Sequence, residues 1–152
     1  FNNVYPFLRI LLGGFFTVSG FEKLVAPYQN FLYVVQSYDF LRVPLLEEAV
    51  AMVFPWCEFF IGIFLVLGFG LKWALRAVSI LLLVFLVTVG QAMIRRLPLE
   101  ECGCFGDMIS FPLPVVLMMD TVLLLLVRWM SRRIADASVF GLDRHLQKHE
   151  RQ

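Results

Sequence analysis

Two cysteines separated by a single glycine, Cys102–Gly103–Cys104, are the residues whose type and spacing carry chemistry most directly. On an oxidising side of a membrane, a Cys-x-Cys pair is a natural dithiol/disulfide couple. The glycine matters because so small a ring needs backbone angles that a residue with a Cβ resists. A bond closed that tightly departs from relaxed geometry, and strain makes it easier to reduce. The enclosed loop is also minimal, so it constrains the unfolded chain little. The spacing therefore predicts an exchanging bond rather than a structural staple. Glu100, Glu101 and Asp107 flank the pair, and negative charge slows thiolate formation, which fits a disulfide acceptor better than a reactive free thiol. Two plainer readings stand beside this one. The pair can be ordinary loop thiols, or half of a metal site. Structural zinc takes four Cys or His ligands, however, and His145 and His149 lie in the distant C-terminal tail, so no metal is expected.

The second set of candidates lies inside long apolar stretches, where ionisable groups are costly and are functional candidates by default. Glu58 sits beside Cys57, just after Pro55, and Asp120 lies about two turns into the last apolar stretch. Lys23 and Glu22 end the first stretch; Gln91, Arg95 and Arg96 end the third. One reading is a polar cluster in the outer half of a helix bundle, with Glu58 or Asp120 accepting protons during a redox step. The other makes Asp120 a structural partner of Arg95 or Lys23. Glu58 has fewer positive candidates at its depth. Cys57 lies roughly a dozen residues, or about 18 Å, below the outer end of its helix. It reads as a buried, inert small hydrophobe, with an internal relay thiol as the alternative.

The elements that must position these residues are transmembrane helices. Of 152 residues, 60% are hydrophobic and only 16% are Asp, Glu, Lys or Arg, and mean hydropathy is +0.80. Soluble domains are nearer half apolar and a quarter charged. With 13 basic and 12 acidic side chains, the net charge is +1. This balance excludes disorder, a nucleic-acid-binding surface and a coiled coil. A bilayer core about 30 Å thick needs roughly 20 mostly apolar residues per helix. Four stretches qualify, at about 4–25, 44–69, 72–94 and 112–130. The expected fold class is all-α: an integral membrane four-helix bundle over 1–133, followed by a cytoplasmic tail over 134–152. The first stretch is long enough to span and has no small-residue cleavage site after it, so it reads as a span rather than a signal peptide.

Four spans place both termini on one side, and the basic residues choose which. Arg9, Lys72, Arg76, Arg128, Arg132, Arg133, Arg144, Lys148 and Arg151 fall on the side of the termini; Lys23, Arg42, Arg95 and Arg96 fall opposite. That bias places both termini in the cytoplasm. The segment with Cys102 and Cys104 then faces outward, in an inner membrane toward the periplasm.

Several features together resemble the DoxX-like superfamily, and within it the methylamine-utilisation MauE branch. They are the four-span layout, Ser19–Gly20–Phe21–Glu22–Lys23–Leu24 at the end of the first span, Glu58 followed by Gly62 in the second, and Cys102–Gly103–Cys104–Phe105–Gly106–Asp107 between the third and fourth. The resemblance covers roughly residues 4–130. It implies a redox-associated inner-membrane protein, multi-pass, working with periplasmic thiol chemistry beside a thioredoxin-like partner. The DoxX relatives imply quinone as the electron acceptor. Only Cys102 and Cys104 match the cysteine motif, with Glu58 and Lys23 as weaker matches. The leading reading is a thiol–disulfide or sulfur:quinone oxidoreductase with Cys102, Cys104, Glu58 and Asp120 as its candidate catalytic set. The alternative is a non-catalytic accessory subunit among respiratory-complex subunits. The expected surroundings are the lipid bilayer, with no nucleic acid.

Overall fold

Proline and glycine punctuate this chain, and the helices begin and end where they stand. A computed structural model describes residues 4–39, 41–96 and 112–133. The tail over 134–152, with His145 and His149, lies outside the described residues, as does the segment 97–111 with Cys102, Cys104, Glu100, Glu101 and Asp107. Within the described residues the order is α1 (Val4–Val25), α2 (Tyr28–Ser37), α3 (Pro44–Leu67), α4 (Leu71–Ile94) and α5 (Leu113–Arg132). Pro44 opens α3, and Pro112 directly precedes α5; proline is tolerated there because the first helical N–H groups have no intrahelical partner.

α1, α3, α4 and α5 are each long and apolar enough to cross a membrane, at 20 to 24 residues. At 1.5 Å per residue they match a core of about 30 Å. Inside lipid the backbone must satisfy its own polar groups, which a helix does. The outward faces carry Phe7, Leu11, Val18, Trp56, Ile80, Val84, Val122 and Leu125, side chains that suit acyl chains. α3 ends two residues earlier than its apolar run, because Gly68 takes a left-handed conformation (φ 74°) and returns its N–H to the Phe64 carbonyl at 2.9 Å. A residue with a Cβ resists that conformation. α3 stays helical through Pro55.

The bundle is built from two helix pairs, α1 with α3 and α4 with α5, which pack more closely within each pair than α3 does on α4. Missing side chains set the α1–α3 approach. A Cβ on Gly20 would lie 2.6 Å from the Phe59 backbone nitrogen, and one on Gly62 would lie 2.5 Å from that of Thr17. Backbones that close need small residues at the contact. Two apolar cores fill the space between the pairs. One, around Leu12, Phe16, Leu65, Leu75, Val78, Val127 and Met130, lies toward the α3–α4 turn. The other, around Tyr38, Val89, Ala92, Leu113 and Val116, lies at the opposite end.

α2 belongs to that second end, which also holds the last turns of α1 and α4 and the first turns of α3 and α5. Residues 26–43 fall between the first two apolar stretches. The structure makes Tyr28–Ser37 a helix that rests on α3 and α1. Ten residues are too few to span, and Phe31 is the buried residue within this helix.

Candidate functional site

Ser19 and Lys23 are one turn apart on α1, so they share a face. The Gly20 contact holds that face against α3 at Glu58. Lys23 Nζ donates to Glu58 Oε2 at 2.8 Å and to Ser19 Oγ at 2.7 Å. The ion pair is buried, with side chains 2% and 8% exposed. Ser19 also hydrogen-bonds the Glu58 carboxyl. A buried pair offsets its desolvation only when further hydrogen bonds complete it, and Ser19 supplies them. The pair corrects the sequence reading, in which Glu58 had few positive partners at its depth. α1 ends below the start of α3, and the lysine side chain at its last turn reaches the middle of α3.

α2 covers this pair. The Phe31 ring centroid is 5.8 Å from Lys23 Nζ and is stacked at 5.8 Å on Phe54 of α3. Below the ion pair is a cavity of about 40 Å³, between the two helix pairs. α1 lines it with Phe15, Phe16 and Ser19, α3 with Phe54 and Glu58, α4 with Leu81, Leu82 and Phe85, and α5 with Val116, Met119, Asp120 and Leu123. Glu58 and Asp120, far apart in sequence, therefore face one small space.

Asp120 does not pair with Arg95 or Lys23, the partners that the structural reading offered it. Its Oδ2 is buried and has no hydrogen-bond partner among the described residues, and the residue is 6% exposed. Lys23 is committed to Glu58. Arg95 points to the chain after α2, donating to the Asp39 carboxylate at 2.7 Å and to its carbonyl at 3.1 Å. Gln91 donates to the Tyr38 carbonyl at 2.7 Å. Gln91 and Arg95 thus fasten the α2 cap to the end of α4. Asp39 is held below the usual carboxylate range, first by its hydrogen bond from Arg95. Tyr38, packed on Leu113 and Val116, has its hydroxyl pushed up to about 12, chiefly by burial.

Cys57 is exposed on the outer face of α3. It is neither buried in the bundle nor turned toward the cavity, as an internal relay thiol would be; Glu58 turns inward from the next position. One residue along a helix rotates the side chain by about 100°. Ser19, Phe31 and Tyr38 were missing from the sequence-derived site. Ser19 had a legible signal, its i,i+4 spacing to Lys23; Phe31 and Tyr38 had none, since they lie between the first two apolar stretches.

Cys102 and Cys104 lie outside the described residues, but the segment that carries them joins the end of α4 to the start of α5. Those termini are at the α2 end of the bundle, beside Tyr38. Neither the comparison with curated proteins nor that with solved structures gives a match. A family model, described as methylamine utilisation protein MauE, matches residues 2–132, a span that holds all four long helices, Lys23, Glu58 and Asp120, and both loop cysteines. With its four apolar helices, the chain is a multi-pass membrane protein that belongs to the MauE family.

Proposed function

We propose that this protein is a membrane thiol–disulfide redox protein that passes electrons from an external thiol or sulfur species to a membrane quinone through Cys102 and Cys104. The observation that carries the reading is the Cys-Gly-Cys pair within the family match, on the segment joining α4 to α5. In the first step, a partner thiolate attacks the Cys102–Cys104 disulfide and forms a mixed disulfide. The second partner thiol resolves it, leaving the partner oxidised and both cysteines reduced. In the second step, the two thiols give two electrons and two protons to a quinone, which becomes quinol as the disulfide re-forms. Glu58 or Asp120 handles protons of that second step.

The resemblance of the span ends and the cysteine segment to the DoxX-like superfamily supports quinone as the acceptor. The bias of basic residues supports an inner membrane with both termini cytoplasmic and the cysteine segment facing the periplasm. The resemblance to the MauE branch implies a periplasmic thioredoxin-like partner, and the outward-facing cysteine segment would be the surface that meets it. The test is the purified protein in quinone-containing liposomes with a reduced dithiol outside. Disulfide and quinol are expected to form in equal amounts, and Cys102→Ser with Cys104→Ser is expected to abolish both. Loop cysteines that stay reduced in native membranes would overturn the reading. So would a protein that never oxidises dithiols and co-purifies at fixed stoichiometry with cytochrome or iron–sulfur subunits, which is the behaviour of an accessory subunit.

A further inference from the structure

We propose that Asp120 is an exchangeable-proton site inside the membrane, reached by water held in the cavity that it shares with Glu58. The charges around the cavity do not balance. Two carboxylates and one ammonium line or border it, and Lys23 is spent on Glu58 and Ser19. Asp120 Oδ2 receives no hydrogen bond among the described residues, although Asp120 is more than nine-tenths buried and lines the cavity.

Among the described residues, the groups that face Asp120 from each neighbouring element offer it no cation. α3 presents Glu58, and α1 presents Ser19 with Lys23 behind it. The chain after α2 presents the Tyr38 hydroxyl, and α4 presents Leu81, Leu82 and Phe85. Arg95 is held by Asp39, and Arg9 donates to the Val66 carbonyl at the far end of the bundle. An unpaired carboxylate in such surroundings is neutralised rather than left ionised. The cavity restricts what can neutralise it. At about 10–15 Å³ per water, its roughly 40 Å³ holds about three waters. A hard metal cation wants about six oxygens, and these walls are mostly phenyl rings and aliphatic chains. A proton needs only the carboxylate itself. The neutral acid donates its proton to cavity water and takes one back, while the Lys23–Glu58 pair stays intact. Asp120 is seven residues, or about 10 Å, into α5 from the cysteine end. Its place as a proton carrier in the second redox step rests on the proposed function; the existence of the site does not.

The experiment is infrared spectroscopy of the full chain in liposomes, in wild type and in Cys102→Ser/Cys104→Ser. A carboxylic-acid carbonyl band is expected at neutral pH in both, shifting when D₂O replaces H₂O. It should vanish in Asp120→Asn, persist in Glu58→Gln and move in frequency in Asp120→Glu, the variant that serves if Asp120→Asn does not fold. A band that is absent at neutral pH, that survives Asp120→Asn, or that ignores D₂O overturns the proposal. Loss of the band on adding sodium at constant pH overturns it in favour of a cation site. An intact band in a chain that fails to oxidise dithiols sinks the redox reading alone. A missing band in a chain that does oxidise them sinks the proton site alone.

Discussion

Lys23 carries more of the site than its position in the sequence announces, because its ammonium is the positive charge that balances Glu58. Removing it leaves a buried carboxylate alone, which costs about 3–5 kcal/mol, whereas removing both charges together costs much less. Lys23→Met is therefore expected to be strongly destabilised in detergent unfolding, and Lys23→Met/Glu58→Gln to regain most of the loss. A single variant as stable as wild type would contradict the ion pair. Ser19→Ala should cost about 1.5–3 kcal/mol, the value of hydrogen bonds to charged groups, by the same measurement. Glu58 and Asp120 were legible as candidates because acids in apolar stretches are rare. Their difference was not: among the described residues one is paired and the other has an unpartnered oxygen, and it is the contact of α1 with α3 that brings Lys23 to Glu58.

At the scale of elements, the α1–α3 contact positions the site, and glycine makes the contact. Gly20→Ala and Gly62→Ala place a Cβ against backbone, an overpacking that costs about 1–3 kcal/mol. Gly14, one position from Gly13, has nothing within 4 Å of a built Cβ, so Gly14→Ala should leave stability unchanged or raise it by up to about 1 kcal/mol. Unfolding midpoints of the three variants check this pattern. The α2 cap is fastened by an exposed pair, Arg95 with Asp39. Because the folded state holds Asp39 below its ordinary value of 3.8, its contribution is fully present above that value and is lost as pH falls through the lower, folded one. Amide exchange around Tyr38 and Asp39 is thus expected to speed up, relative to the bundle helices, below about pH 4. In Arg95→Met it should be fast at every pH. Equal protection at pH 3 and pH 6 would contradict the fastening role.

For the whole molecule, burial of Arg9 and Lys23 removes one residue from each side of the charge comparison, leaving eight basic residues on the side of the termini and three on the other. The bias behind the expected orientation survives. In a cysteine-free background, Tyr33→Cys on α2 is expected to react with a membrane-impermeant maleimide on intact cells, and Trp73→Cys at the start of α4 only after permeabilisation. Both positions are exposed, so reversed labelling would mean a reversed chain. That outcome would also put Cys102 and Cys104 in a reducing compartment.

The long apolar runs and the prolines and glycines at their ends determined four helices with bounds correct to a few residues, because span length answers to bilayer thickness and helix ends to local backbone chemistry. The Cys-Gly-Cys pair was equally local. Which polar groups meet was not. Periodicity alone left Lys23 free to serve Asp120 or Glu58, and Cys57 free to face inward or out. Those outcomes depend on how closely two backbones approach at Gly20 and Gly62 and on how each helix is rotated about its axis. α2 was missed for a related reason: ten residues of mixed polarity form a helix here by resting Phe31 on Phe54 and on the Lys23 ammonium, partners that exist only once α1 and α3 have packed. The sequence by itself supplied the charges and the spans. The packing of α1 on α3 decided that one buried acid is paired, and the packing of that pair on α4 and α5 brought the second acid to the same cavity.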